Sequence, residues 1–131
     1  MTPSFLLDSS ACIPVLRNQA GLEKLPSPAL TGIPVIVAAE LWTGVKKNLK
    51  THPQQAARLE AFLRLFQLAD FTLDAALNYA EIRTVLEATG RSIGPLDLLI
   101  AAQARSLGAT LVTANSKEFR RVRGLKVLSW K

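Results

Sequence analysis

Residues 94–115 read GPLDLLIAAQARSLGATLVTAN and place a helix next to a buried strand. A proline at the start of a helix and a glycine just past its end are typical boundaries, so we predict a helix between Gly94-Pro95 and Gly108. The apolar pair Leu111-Val112 follows after a short turn and predicts a buried strand. A helix joined so closely to a strand is a unit of α/β architecture.

The rest of the chain repeats this alternation. Segments with helical spacing, such as Leu59, Phe62, Leu63 and Phe66, separate short apolar runs that predict strands. We expect Asp74 to cap a helix that ends at Gly90, and residues 21–34 to form a loop. The predicted fold is α/β, with a mostly parallel central sheet of four or five strands flanked by helices. The predicted strands are Phe5–Leu7, Val35–Val37, Leu111–Val112 and Val127–Leu128, with Leu68–Thr72 as a weaker candidate.

Length and composition indicate one globular domain over residues 1–131. The apolar run near the start stops at Asp8, and no run reaches the roughly 20 residues of a membrane span, so we expect neither export nor a membrane partner. Cys12 is the only cysteine, which favours a core thiol and a reducing cytoplasm. The formal charge of +6 favours an anionic partner such as nucleic acid, although ribosomal and membrane-surface proteins share such a charge.

Acidic residues fall where the strands of such a sheet would end. Ligands of open α/β sheets bind at the carboxyl ends of the strands, so these side chains are candidates for one site. Each has a simpler interpretation: Asp8 as a helix cap, Asp97 as a favourable charge in a first helical turn, and the two glutamates as solvated residues. Their joint placement favours a site. The residues at this edge are Asp8, Glu40, Asp97, Thr113, Asn115 and Glu118.

Four carboxylates at one edge of a basic chain repel one another unless a cation neutralises them. Oxygen ligands suit Mg²⁺ or Mn²⁺, whereas zinc prefers His and Cys, of which this chain has one each. The one histidine, His52, precedes Pro53 in a predicted loop and is expected at the surface. The sequence therefore predicts a magnesium site, with manganese as a substitute.

Six segments together resemble the PIN-domain ribonucleases, and among them the VapC-type toxins of toxin-antitoxin pairs. The similarity runs from the first predicted strand to Trp130. It is specific because the segments occur in the same order and with the expected separations. The segments are Leu7-Asp8-Ser9-Ser10, Ala39-Glu40-Leu41, Tyr79-Ala80-Glu81-Ile82-Arg83, Ile93-Gly94-Pro95-Leu96-Asp97-Leu98-Leu99-Ile100-Ala101-Ala102, Leu111-Val112-Thr113-Ala114-Asn115-Ser116-Lys117-Glu118-Phe119 and Arg121-Val122-Arg123-Gly124-Leu125-Lys126-Val127.

The resemblance implies a Mg²⁺-dependent endoribonuclease of the PIN-like α/β/α sandwich fold that hydrolyses RNA with a metal-activated water. Its metal-binding and catalytic residues would be Asp8, Glu40, Asp97 and Glu118, with polar support from Ser10, Thr113 and Asn115. Many members have Asp at the position of Glu118, and the toxin subgroup often has Asn where this chain has Ala114. Either Glu118 or Asn115 would complete the site.

Partners are implied in the same way: a homodimer, and a VapB-type antitoxin that assembles with the toxin into a heterotetramer or larger complex and alone contacts DNA. A segment of the antitoxin would lie in a groove, although core packing is the more usual role for the apolar residues proposed to line it. Those residues are Leu16, Leu41, Trp42 and Val45. The side chains proposed to hold RNA phosphates are Arg17, Lys46, Lys47, Arg91, Arg120, Arg121 and Arg123.

Two other classes of protein stay open. A catalytically weak or inactive PIN-like RNA-binding module is compatible with Asn115 and Glu118 standing where many members have Asp. A phosphate-accepting receiver module also uses acids at strand ends, but Asp8 is followed by two serines rather than by a second acid. Nucleotide-binding enzymes fit less well, because the chain has no glycine-rich phosphate loop.

Overall fold

The structure is a computed structural model that describes residues 2–130. Its strands are β1 (Phe5–Leu7), β2 (Thr31–Pro34), β3 (Gln67–Ala69), β4 (Thr110–Thr113) and β5 (Lys126–Ser129). Its helices are α1 (Ser9–Leu16), α2 (Val35–Lys47), α3 (Gln55–Leu63), α4 (Leu73–Ala88), α5 (Pro95–Leu107) and α6 (Ser116–Phe119), and two 3₁₀ turns cover Leu22–Lys24 and Pro28–Leu30. The strands form one sheet in the order β3-β2-β1-β4-β5, and every pairing is parallel. The prediction of an α/β fold with a parallel sheet flanked by helices is confirmed.

The central strand β1 is covered on both faces. Leu6 and Leu7 point to opposite faces of the sheet, and both are 0% exposed. Leu111 and Val112 of β4 continue the two buried layers beside them. Cys12 lies in the same core, as the sequence predicts. No helix among the described residues has the length and apolar content that crossing a lipid bilayer requires.

The order of the strands creates a crevice at the end of β1. The chain passes from β1 to β2 and β3 on one side, and then to β4 on the other side of β1. The connections after β1 and β4 therefore turn away from each other, which opens a ligand-binding crevice beyond the carboxyl ends of these two strands. Asp8 follows β1 directly, and Thr113 is the last residue of β4.

The predicted strand over Val35–Val37 is wrong, because α2 begins at Val35 and the strand lies just before it, at Thr31–Pro34. The loop prediction for residues 21–34 is wrong over these last four residues for the same reason. All four residues of this strand are buried, but the sequence Thr-Gly-Ile-Pro has only one large apolar side chain and therefore does not resemble a typical buried strand. Gly32 is needed for close packing, since a Cβ there would meet the Gln67 carbonyl oxygen at 3.1 Å.

Helix boundaries agree with the sequence with one exception. Helix α5 begins at Pro95 and ends before Gly108, which adopts the left-handed conformation that favours glycine, with φ +65°. Thr72, not Asp74, caps α4, because its hydroxyl oxygen accepts from the Ala75 N–H at 3.2 Å. Asp74 lies in the first turn instead, where its charge still favours the helix.

Candidate active site

Asp8 is fixed by its place between β1 and α1. It is the N-cap of α1, and its Oδ1 accepts a hydrogen bond from the Ala11 N–H at 3.1 Å. The side chain is only 3% exposed, because the core encloses the strand end from which it projects. The cap role and the site role are therefore compatible: the helix start holds the carboxylate at the crevice.

Two hydroxyl groups bind the Asp8 carboxylate, one on each oxygen. Ser10 Oγ donates to Oδ1 at 2.6 Å, and Thr113 Oγ1 donates to Oδ2 at 2.5 Å. Both hydroxyl oxygens in turn accept a backbone N–H from the turn after β4, from Ala114 to Ser10 and from Asn115 to Thr113, each at 2.9 Å. Because these N–H groups occupy acceptor positions of the hydroxyls, the hydroxyl protons are directed at Asp8.

Glu40 and Asp97 approach the crevice from two helices. Glu40 lies in the second turn of α2, so the structure places it on a helix and not just past a strand. Its pKa is raised by burial, and then by the charges of Asp97 and Asp8. Asp97 lies in the first turn of α5, and its pKa is raised by burial, then by Asp8 and Glu118. The charges of neighbouring acids thus act on both Glu40 and Asp97.

The fourth acid lies on the outer side of this group. Glu118 is an exposed residue of the short helix α6, and it acts on Asp97. Asn115 precedes α6, is also exposed, and supports the site through its backbone N–H on Thr113. Between these two candidates, Glu118 is the one that contributes a charge. Across residues 2–130, no three His, Cys, Asp or Glu side chains are close enough to form a preassembled metal site.

Comparison with known proteins gives the family. A model of the PIN domain matches residues 5–125. The chain is 37% identical to ribonuclease VapC2 of Rickettsia felis over 131 residues, which covers 96% of this chain and 97% of the relative. The chain belongs to the VapC ribonucleases of the PIN-domain family. A tRNA(fMet)-specific endonuclease VapC of Shigella flexneri is 33% identical over 129 residues, with 96% of this chain and 97% of that protein covered.

Solved VapC structures share the fold of this PIN domain over nearly its full length. In the DNA-bound VapBC of Salmonella typhimurium the matching chain gives a TM-score of 0.91 at 30% identity, covering 98% of this chain and 99% of that one. In VapBC2 of Rickettsia felis, bound to a promoter DNA fragment, the TM-score is 0.87 at 36% identity, with 97% and 98% covered. Both neighbours are toxin-antitoxin complexes.

The donors at the crevice of this PIN domain fit a hard divalent cation. All four charged donors are carboxylates, which Mg²⁺ and Mn²⁺ prefer. Glu40 Oε1 is buried and accepts no hydrogen bond from residues 2–130, although a buried oxygen is normally paired. A cation would satisfy this oxygen and offset the repulsion that raises the pKa values of Glu40 and Asp97.

A cavity of about 200 Å³ leads away from Glu40 between α1, α2 and α3 of the PIN domain. Three of the predicted groove residues, Leu16, Leu41 and Val45, line it, and Arg17 and Arg58 lie at its polar side. Leu41 and Val45 are each only 7% exposed, so they pack in the core and also line the cavity. Trp42 packs against the core and is not among the residues lining this cavity.

The basic side chains proposed for RNA differ in exposure. Arg121 is partly buried, because its Nη1 donates to the Ser92 carbonyl oxygen at 3.0 Å and ties α6 to the loop before α5. His52 lies in an exposed loop, as the sequence predicts. Helix α4 carries a cluster of Tyr79, Arg83 and Glu87. Tyr79 and Arg83 belong to a segment that resembles the toxins, but sequence reasoning assigned them no role and did not single out Glu87. The exposed basic candidates are Arg17, Lys46, Lys47, Arg91, Arg120 and Arg123.

Proposed function

We propose that this VapC-type PIN domain is a divalent-metal-dependent endoribonuclease, the toxin of a toxin-antitoxin pair, with Mg²⁺ as its ion and Mn²⁺ as a substitute. The observation that carries the proposal is Glu40 Oε1, which is buried and unpaired among the described residues, on a carboxylate whose pKa is raised by burial and by the charges of Asp97 and Asp8. A protein that used these acids only as caps and solvated residues would have no reason to bury an unpaired carboxylate oxygen.

In this site Asp8, Glu40, Asp97 and Glu118 would hold the metal. When bound, Mg²⁺ supplies a Lewis acid that polarises the scissile phosphate and lowers the pKa of a coordinated water. Ser10 and Thr113 orient Asp8 by donating to its two oxygens. The start of α5 carries Asp97 into the crevice. No histidine is required as a base, since His52 lies in a loop beyond α2.

RNA binding is proposed to depend on basic side chains around the acidic crevice. Lysine and arginine position a phosphate backbone without reading its bases. The net charge of +6 supplies a general attraction, whereas the acids repel the phosphate unless metal is bound. We therefore expect bound metal to tighten RNA binding at the crevice and rising salt to weaken it.

A cognate antitoxin is the partner that we propose for the cavity between α1, α2 and α3. Its apolar lining suits the apolar side chains of a short segment, and its inner end reaches Glu40. A basic side chain of that segment would neutralise the acids and exclude the metal. From the family resemblance we propose a toxin homodimer in a heterotetramer or larger complex. By the example of the DNA-bound VapBC relatives, this complex would bind DNA, and we propose that the antitoxin makes the contact.

The test of the proposed activity is RNA cleavage by purified Asp8→Asn and Asp97→Asn variants in Mg²⁺. We expect a loss on the order of 10²–10³-fold for each, because each removes a charge that would bind the ion. Glu60→Gln is the matched control, since this exposed glutamate lies on α3 in a pair with Arg64 and should not affect cleavage. Circular dichroism establishes that each variant is folded.

Retention of full cleavage by both folded aspartate variants would refute the proposal. So would equal cleavage in Mg²⁺ and in EDTA. If the unmodified chain binds RNA but never cleaves it in Mg²⁺ or Mn²⁺, the inactive RNA-binding module is the correct interpretation.

A further inference from the structure

A second cavity, also of about 200 Å³, lies between α4 and the loop that leads into α5. Pro95 and Leu98 form its floor, and they belong to the same first turns of α5 as Asp97. The cavity thus adjoins the acidic crevice around the start of one helix. Its outer side is formed by Tyr79, Arg83 and Glu87 of α4. The proposed cleavage site uses none of these five lining residues.

The three α4 side chains are linked to one another. They follow at intervals of four residues and therefore lie along one side of the helix. Arg83 Nη1 donates to Tyr79 Oη at 3.1 Å, and Arg83 Nε donates to Glu87 Oε2 at 2.9 Å. The Arg83 guanidinium carbon is 6.0 Å from the centre of the Tyr79 ring. An aromatic ring, a guanidinium and a carboxylate are thus held together at the opening of one cavity.

A simple helix-surface ion pair does not account for this arrangement. Arg64 and Glu60 on α3 provide the comparison, with the same spacing and a 2.7 Å contact. The side chains of that pair are 77% and 57% exposed, and those of Arg83 and Glu87 are 53% and 56% exposed. The difference is that Arg83 and Glu87 line a cavity together with Tyr79 and Pro95. The α4 cluster therefore has a concave, partly apolar site in front of its polar groups.

We propose that this cavity binds one unpaired guanine base of the RNA substrate, next to the cleaved bond. Its volume is below the roughly 300 Å³ at which pockets for drug-sized ligands begin, which suits a single planar ring system. Bases of single-stranded RNA are recognised by stacking on aromatic rings or arginine planes and by hydrogen bonds to their edges. Tyr79 and Arg83 supply the planes, and Pro95 and Leu98 place the cavity beside the helix turn that carries Asp97.

Guanine is favoured by the polar groups at the opening. Glu87 Oε2 accepts from Arg83, while Oε1 accepts no hydrogen bond from residues 2–130 and is available to accept the N1–H and N2–H of guanine. The remaining N–H groups of Arg83 can donate to O6 of the same base. Adenine would place its N1 acceptor against the carboxylate, leaving two acceptors facing each other. Discrimination should therefore favour guanine over adenine by about tenfold or more.

This inference rests on the proposed RNA cleavage for the identity of the substrate, but its test does not require cleavage. Short single-stranded RNAs that differ in one base, guanine, hypoxanthine or adenine, within an otherwise uniform uridine sequence are titrated with the unmodified chain in EDTA. Fluorescence anisotropy gives each affinity, and a gel confirms that the RNA stays intact. We expect guanine to bind most tightly, hypoxanthine less tightly because it lacks the N2 amino group, and adenine about tenfold more weakly than guanine.

Three variants assign the preference to the cavity. Glu87→Gln should reduce the ratio of the guanine to the adenine affinity to about one- to threefold. The lost charge changes the affinity for both RNAs alike and therefore cancels in this ratio. Tyr79→Ala should weaken all three RNAs by about fivefold or more through lost stacking, with the ratio largely kept. Glu60→Gln, which carries the same chemical change in the comparison pair, should leave both the affinities and the ratio unchanged.

Equal affinities for the guanine and adenine RNAs would overturn the inference. So would a guanine preference that Glu87→Gln leaves intact, because the base would then be bound elsewhere. A chain that prefers guanine through Glu87 but does not cleave RNA in Mg²⁺ would refute the proposed nuclease activity and uphold the base-binding cavity.

Discussion

The two halves of the acidic crevice are built in different ways. On the sheet side, Asp8 has both oxygens bound by hydrogen-bond donors, and the donors themselves are held by backbone N–H groups. On the helix side, Glu40 and Asp97 have raised pKa values, and Glu40 Oε1 is buried without a donor among the described residues. The fold thus stabilises one carboxylate by itself and leaves the others to be stabilised by a cation.

Among changes that leave all four acids in place, the largest effect is expected from removing one hydrogen-bond donor on the sheet side. Thr113→Val would leave Asp8 Oδ2 and the Asn115 N–H without their partner in a buried position. We expect cleavage to fall by roughly 10–100-fold, as for other groups that orient a metal ligand. Stability should fall by about 1–3 kcal/mol, measured by urea unfolding.

Thr113→Ser is the control, because it keeps the hydroxyl. It should retain most of the activity and should bind Mn²⁺ nearly as the unmodified chain does. If Val and Ser at this position give the same cleavage rate, the hydroxyl does not orient Asp8, and the contrast between the two halves is lost.

A smaller effect is expected at the outer acid. Glu118 is exposed on α6 and acts on Asp97 only through its charge, so Glu118→Gln removes a charge that solvent and salt already screen and no buried contact. We expect a severalfold loss of cleavage that higher Mg²⁺ restores, measured as a titration of rate against metal concentration. A loss as large as that of Asp97→Asn would mean that Glu118 is a principal ligand.

Neutralising one carboxylate in the metal-free chain should change the melting temperature in opposite directions in the two halves. Asp97→Asn removes a charge that its neighbours disfavour, so the melting temperature in EDTA at neutral pH should rise by roughly 1–3 °C, a small value because Asp97 is partly exposed. Asp8→Asn should lower the melting temperature, because the amide cannot accept from both hydroxyls on equivalent oxygens. Differential scanning fluorimetry measures both. A change of the same sign in both variants would contradict the contrast.

The smallest effect is a dependence of metal-free stability on pH. The pKa values of Glu40 and Asp97 are raised in the folded chain, so between their ordinary and raised values the native state binds more protons than the unfolded state. Stability from these two groups is then lost as pH rises through that acidic window. Urea unfolding across the window, compared with the Glu40→Gln and Asp97→Asn variants, should show a shallower slope in the variants. An unchanged slope would exclude these groups as its source.

Much of the fold could be predicted from the sequence because boundaries and buried strands have local signals. Pro95 and Gly108 mark α5, and Leu111-Val112 is apolar because β4 is buried on both faces. Strand β2 could not be found in this way. Its residues include Gly32, selected for close backbone packing, and Pro34, which ends it, while the apolar run Val35–Val37 belongs to the helix that packs on the core.

For the site, position along the chain was sufficient to propose the four acids as candidates but not to rank them. Asp8 and Asp97 both follow from the topology, since each begins a helix at the carboxyl edge of the sheet. Asp8 differs from Asp97 because two hydroxyl groups donate to it. The backbone N–H groups that orient these hydroxyls belong to a turn more than 100 residues away from Ser10. Sequence patterns describe neither such long-range contacts nor the cavity in front of Tyr79 and Arg83.

The most direct test of the account is a titration of the metal-free chain with Mn²⁺, followed by isothermal calorimetry, in the unmodified chain and in the Glu40→Gln and Asp97→Asn variants. The account predicts saturable binding by the unmodified chain, competed by Mg²⁺, and affinity at least tenfold weaker in each variant. Binding of the same affinity in all three proteins, or no binding by the folded unmodified chain, would contradict it.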